Sequence, residues 1–322
     1  MNTLVRVHVI CEDEEKGRKA LKQAFDVFKK IDHLTNRFPE NKPVAFSPGD
    51  VLKINGSAGL KPVQVSADTI RIIQRSQYYA GLTGGAFDVS IGPVMDSWGF
   101  GNNQQYVPAD EEIGRALSLV DYGKVEVDPG KATVFLTEPG MSLDLGGVAK
   151  GYAMDEAVKA LREVGMKHAL INAGGCVYAL GTRPDGEPWR VGIQDPRSSG
   201  DIVAILSLKD SAAVTSGDYQ RYFEQEGVLY HHIIDPSTGK QARELIQTTV
   251  VSESATDADI LSTALFVLGP RRGMSFVEDL PGTGAVLIGP DKVVLATANL
   301  NNQLTFTGDG GYQIARNVTQ KR

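Results

Sequence analysis

The sequence predicts a fold that mixes helices and strands, and three stretches carry that prediction. Residues 142–175, SLDLGGVAKGYAMDEAVKALREVGMKHALINAGG, read as strand, glycine turn, helix and strand. At the N-terminus an alternating run at 4–10 precedes an amphipathic helix at 14–34. After residue 176 come short β-like runs at 177–180, 189–193 and 202–208, and later an alanine- and leucine-rich helix at 256–268. No repeat, low-complexity segment or linker divides the chain.

Each element has a local reason. In residues 142–145 polar and apolar side chains alternate, as in a half-buried strand. Gly146 and Gly147 allow a tight turn. From Ala149 on, Ala153, Met154, Ala157, Val158 and Leu161 recur at helical spacing, with Asp155, Glu156, Lys159, Arg162 and Glu163 on the opposite face. Gly165 is placed to cap the helix C-terminus. In the N-terminal helix Ala20, Leu21, Ala24, Phe25, Phe28 and Ile31 form the inner face. A loop is expected at 35–50, with Ser66 capping a helix at 67–80. Residues 81–101 hold six glycines and the aromatics Phe87, Trp98 and Phe100, a pattern poor for helix and for strand alike. They read as a shaped loop whose backbone approaches a ligand, or as irregular core packing. A helix at 108–123 and a hairpin at 125–136 around DPGK follow. Residues 250–252 read as a strand, and 273–279 as a short helix.

Composition narrows the function. The chain has 322 residues, 42% of them hydrophobic, which is enough for one large or two ordinary domains. A net charge of −6 with no basic run argues against a nucleic-acid polymer as partner. Cys11 and Cys176 fit no metal spacing and leave one disulfide possible. No apolar run approaches bilayer length.

The chemistry-bearing residues point to a nucleotide. A glycine turn at a helix N-terminus offers backbone N–H groups to a phosphate, with Lys150 beside it and Asp144 where a ribose or base could be read. The same turn also occurs with no ligand at all. Asp259 and Thr263 lie four apart, which puts a carboxylate and a hydroxyl on one helix face, hard oxygens that suit Mg²⁺. An aspartate that merely answers the helix dipole has the same spacing. His231 and His232 point to opposite faces of a β pattern, so one of them at most faces a given site. A histidine there is a general base or a packing residue.

Ordered motifs carry a resemblance over almost the whole chain: TGGAFD at 83–88 with GPV at 92–94 and WGFG at 98–101; LDLGGVAKGYAMD at 143–155; NAGG at 172–175; TSGDY at 215–219; HIIDPSTG at 232–239; and DILSTALFVLG at 259–269. The chain resembles the ApbE-type flavin transferases, FAD:protein FMN transferases.

The resemblance implies an α+β fold, with mixed or antiparallel sheets, packed helices and a nucleotide cleft between two intertwined halves of one domain spanning 1–322. It implies Mg²⁺-dependent transfer of FMN from FAD to a threonine or serine hydroxyl of an acceptor protein, through a phosphoester bond, with release of AMP. The alternatives are an FAD pyrophosphatase that gives FMN and AMP, and a flavin-binding protein without turnover. Carried over by motif, Asp259, Thr263 and the backbone carbonyl of Gly147 hold magnesium. Met1, Phe38, Ala86, Phe87, Asp88, Asp144, Lys150 and Ile233 contact the FAD, and His232 is catalytic. Cys176 stands where the family has aspartate or asparagine. The family's opening MGT is MNT here, and residues before it, with an export signal or lipid anchor, are expected in the full-length protein. An extracytoplasmic, periplasmic or membrane-anchored place follows. The acceptor would be a subunit of a membrane redox complex or an extracytoplasmic flavoprotein.

Overall fold

The computed structural model describes residues 3–38, 47–101, 104–308 and 310–315. In chain order the elements are β1 (Val5–Ile10), α1 (Glu14–Thr35), α2 (Asp50–Asn55), β2 (Val63–Gln64), α3 (Ala67–Leu82), α4 (Gly92–Ser97), α5 (Asp110–Leu117), β3 (Val125–Asp128), β4 (Thr133–Leu136) and α6 (Ala149–Glu163). Next are β5 (His168–Ala173), β6 (Cys176–Leu180), β7 (Trp189–Gln194), β8 (Ile202–Leu208), β9 (Ser211–Gly217), β10 (Tyr222–Gln225), β11 (Val228–His231), β12 (Ile234–Asp235), β13 (Lys240–Gln241) and β14 (Gln247–Ser252). The chain closes with α7 (Ala255–Glu278), β15 (Gly284–Ile288), β16 (Val293–Ala296), β17 (Leu304–Phe306) and β18 (Gln313–Ala315). The expected α+β class is what forms. The chain divides into two compact units interleaved along the sequence: residues 29–149 with 221–241, and residues 3–28, 150–220 and 242–315.

The second unit is built on an eight-stranded sheet, in the order β1-β5-β6-β9-β14-β15-β16-β18. Its pairs are antiparallel except β16 with β18. Strands β6, β14 and β15 are buried at every position, so apart from Gln247 they read as apolar or hydroxyl-bearing runs rather than alternations. Helix α7 lies against β9, β14 and β15. Ile193, Val203, Leu206 and Leu208 of β7 and β8 pack with Val251, Val286, Ile288 and Val294 of the large sheet in one core. Gly174 and Gly175, with φ of 58° and 90°, make the two-residue hairpin between β5 and β6, a turn that needs positive φ at both centres. That turn sets Cys176 as the first residue of β6.

Two helices position this unit's polar residues. Ser254 caps α7 by accepting from the Asp257 N–H. Asp155 of α6 adds to the cap, accepting from the N–H groups of Ala255 and Thr256 at 2.8 and 2.9 Å and from the Thr256 hydroxyl at 2.6 Å. Burial pushes the Asp155 carboxyl above its usual range, against the pull of these bonds. The sequence had placed Asp155 on the solvent face. Gly269, at φ 75° and ψ 178°, and Pro270 break α7, in line with the two separate helices read there. Helices α6 and α7 touch at Gly151. A Cβ there would press into the carbonyl oxygen of Ala255 and within 2.8 Å of the Asp259 Cβ. Gly151→Ala is therefore expected to destabilise the protein by about 1–3 kcal/mol through overpacking, read as a lowered Tm.

In the first unit three expectations need correction. Residues 142–145 form no strand; Ser142 makes a single bridge to Ile91. The physical reason is that Asn55 replaces a strand partner, accepting from the Leu143 N–H at 2.8 Å and donating to the Leu143 carbonyl at 3.1 Å. Residues 81–101 are not wholly irregular, since Pro93 seeds the short helix α4 in its first turn. The helix expected at 108–123 ends at Leu117, and a 3₁₀ turn at Tyr122–Lys124 follows. Helix α2 carries no signal strong enough to be read in advance; its N-cap, Gly49, makes no side-chain bond. The aromatics of 81–101 serve as core. Trp98 and Phe100 are buried with Val94, Met95, Ile113 and Ile234, and the Trp98 indole N–H donates to the Gly239 carbonyl at 2.8 Å.

Candidate functional site

In the first unit the expected catalytic histidine stands just past β11. His231 is buried, and its Nδ1 accepts from the Ile233 N–H at 3.2 Å. His232 faces the other way and is half-buried, as the alternation predicts. Its Nδ1 lies 3.2 Å from the carbonyl oxygen of Arg221, and its ring meets Phe100 edge-on at 6.4 Å between centroids. A carbonyl only accepts, so Nδ1 carries a proton, and in the neutral ring the lone pair is on Nε2. That tautomer is the one a general base needs.

The glycine turn and its carboxylate are held from below. Asp144 accepts from the Gly146 N–H through Oδ1 at 2.8 Å and from Arg37 Nη1 through Oδ2 at 3.0 Å. The Arg37 side chain is 7% exposed, also binds Asp96, and lies over the Phe38 ring at 4.9 Å. Sequence reading missed Arg37. Its only signal was its place directly before Phe38. Removing it is expected to cost about 2 kcal/mol, less than breaking a fully buried pair because Asp96 is half exposed. Thermal melting of Arg37→Ala checks this.

Ala86 and Phe87 are buried, and so is Asp88. Asp88 Oδ1 accepts from the Ser90 N–H and hydroxyl, each at 2.7 Å, and Oδ2 from the Tyr122 N–H at 2.9 Å. Desolvation raises its pKa, which these bonds only partly offset. Asp88 therefore fastens the TGGAFD segment to the turn at 121–123. Gly147 lies in the turn ahead of α6 and is half-buried. Met1 lies outside the described residues.

In the second unit Lys150 of α6 meets Asp259 of α7, a pairing that no spacing in the sequence implied, and Thr263 follows Asp259 by four residues on α7. Asp259 is 3% exposed. Its Oδ2 accepts from the Gly151 N–H at 2.9 Å, and its Oδ1 faces Lys150 Nζ at 3.1 Å. Cys176 donates its S–H toward the same Oδ1 at 3.7 Å. Burial first, and then the Asp259 charge, push the Cys176 thiol far up, so it stays protonated and inert. Both cysteines are free, with Cys11 exposed. Thr263 presents Oγ1 one turn along from Asp259. Among the described residues no group of three or more His, Cys, Asp or Glu side chains could hold a metal. A cation here would rest on one carboxylate, a hydroxyl and backbone carbonyl. This hard, sparse donor set fits Mg²⁺, which keeps positions for substrate phosphates and water.

The ApbE family model matches residues 1–288. The chain belongs to the ApbE family. An FAD:protein FMN transferase of Treponema pallidum is 36% identical over 262 residues, covering 77% of this chain and 72% of that protein. One from Klebsiella pneumoniae is 33% identical over 288 residues, covering 88% and 89%. Among solved ApbE structures, the protein from Thermotoga maritima superposes with a TM-score of 0.84 at 34% identity, over 92% of this chain and 94% of that one. The flavin transferase ApbE from Vibrio cholerae gives 0.81 at 27% identity, over 94% and 96%. Among the described residues, no helix of this ApbE chain is long and apolar enough to cross a membrane.

Proposed function

We propose that the chain is an FAD:protein FMN transferase. Relatives more than 30% identical over most of its length bear that name, and this carries the reading. The acceptor's threonine or serine hydroxyl attacks the FMN phosphorus, the pyrophosphate P–O bond to AMP breaks, and AMP leaves. His232 Nε2 takes the hydroxyl proton, and the Arg221 carbonyl keeps the ring in the tautomer that can do so. By the family resemblance, Asp259, Thr263 and the Gly147 carbonyl would hold Mg²⁺, and Phe38, Ala86, Phe87, Asp88, Asp144, Lys150 and Ile233 would hold FAD. The donor chemistry around Asp259 supports the metal assignment. Mg²⁺ supplies charge neutralisation for the pyrophosphate and the departing AMP. The Ile233 N–H is already given to His231, so its carbonyl is the backbone group it offers. Lys150 brings a positive charge beside Asp259, where phosphate oxygens would meet it. The family resemblance supports an acceptor that is a flavoprotein of a membrane redox complex or of the extracytoplasmic space, and an extracytoplasmic site of action.

The test is to incubate the protein with FAD, Mg²⁺ and a peptide carrying a threonine in the family's acceptor context, then weigh the peptide. Gain of one FMN with release of AMP is the expected result. Free FMN and AMP with an unmodified peptide for every acceptor tried would replace the transferase by a pyrophosphatase.

A further inference from the structure

Three hydroxyls between β9 and α7 form a hydrogen-bonded chain whose direction is fixed at one end. Ser262 Oγ lies 2.9 Å from the carbonyl oxygen of Asp259. A carbonyl only accepts, so the one hydroxyl proton of Ser262 points there. Ser216 Oγ lies 2.8 Å from Ser262 Oγ. With the Ser262 proton committed, Ser216 is the donor in that pair. Thr263 Oγ1 lies 3.4 Å from Ser216 Oγ. The Ser216 proton is committed too, so Thr263 donates to Ser216. Thr248, the cross-strand neighbour of Ser216, has a buried hydroxyl with no hydrogen-bond partner among the described residues, so it is no rival acceptor.

We propose that Ser216 is a positioning residue for Thr263: with Ser262 behind it, it draws the Thr263 hydroxyl proton toward the sheet, so that the Thr263 oxygen presents lone pairs to a divalent cation. A hydroxyl can ligate a cation only when its proton points elsewhere. An isolated threonine on a helix would settle this by rotation; here the chain settles it in advance. The last link is longer than the roughly 2.5–3.0 Å of a tight hydroxyl bond, and a cation on Thr263 strengthens it by making the hydroxyl a better donor. This inference rests on the metal site proposed above. Neither Ser216 nor Ser262 is a ligand in that site.

Mn²⁺, followed by its electron paramagnetic resonance signal, is titrated into the FAD-loaded protein and into S216A, S262A, T263A, D259N and the double variant S216A/T263A. Loss of an outer partner typically weakens metal binding about 10- to 100-fold, so S216A and S262A are each expected to weaken Mn²⁺ binding by at least about tenfold. S216T, which keeps the hydroxyl, should stay within about twofold of wild type by the same reasoning. The double variant should bind no more weakly than T263A alone, because residues that act through one another are not additive. A role of Ser216 in packing alone would lower Tm and leave Mn²⁺ affinity unchanged. Wild-type affinity in S216A or in S262A, with T263A weakened, overturns the inference and leaves the metal site standing. Additive losses in the double variant overturn it as well. Wild-type affinity in both T263A and D259N overturns the metal site itself. If S216A does not fold, S262A decides, since it cuts the same chain one link further on.

Discussion

His232→Ala is expected to lower the rate of FMN transfer by about 10²- to 10⁴-fold, the range for loss of a positioned general base. The expectation has a structural ground beyond the residue type. The Arg221 carbonyl holds Nδ1 and the edge of Phe100 meets the ring, so the imidazole is fixed with its basic nitrogen identified. Binding of FAD should be little changed, so the loss should fall on kcat at saturating FAD. Single-turnover transfer to an acceptor peptide, followed by mass, measures it directly. His231→Ala is the control. That ring is buried and accepts from the Ile233 N–H, so its removal should lower stability more than chemistry. Full transfer rate in His232→Ala would return the histidine to a packing role.

Asp259→Ala is expected to reduce transfer by about 10³-fold or more, since a metal Lewis acid is worth several kcal/mol and each 1.4 kcal/mol is tenfold. It should also destabilise the fold. The Gly151 N–H loses the carboxylate that accepts it, at a cost of about 1–3 kcal/mol for a buried donor left without an acceptor. Asp259→Asn separates the two effects, because the amide oxygen can still accept from Gly151 while the charge is gone. It keeps the Gly151 bond but sets its amide NH2 against the Lys150 ammonium, so it should melt above Asp259→Ala and below wild type, and still show the loss in rate. Magnesium titration of the residual activity completes the measurement. An unchanged magnesium dependence in either variant would place the metal elsewhere.

Part of this protein is decided by the sequence alone. Helical spacing in α6 and α7, the capping glycine at 165 and the alternation at His231 and His232 are local properties, and local physics reproduces them. The pairing of Asp259 with Thr263 is of the same kind, because four residues is one helical turn. Even the break at Gly269 and Pro270 is legible, since a missing N–H acts wherever it lies. The ordered motifs add the family.

Tertiary structure decided the rest, and the reason is the same in each case: a side chain far along the chain supplied the partner. Residues 142–145 alternate like a strand, yet Asn55 takes the backbone groups of Leu143 and leaves only a bridge. Asp155 reads as a solvent-face residue of α6, yet it caps a helix a hundred residues on. Arg37 carries no motif, yet it ties Asp144 to Asp96. Ser216 sits in TSGDY and Ser262 in DILSTALFVLG, two motifs with nothing between them in sequence to suggest a contact. Only the packing of α7 on β9 brings their hydroxyls to 2.8 Å and gives the chain its direction. Periodicity reports which face a residue is on; it is silent about which distant group waits on that face.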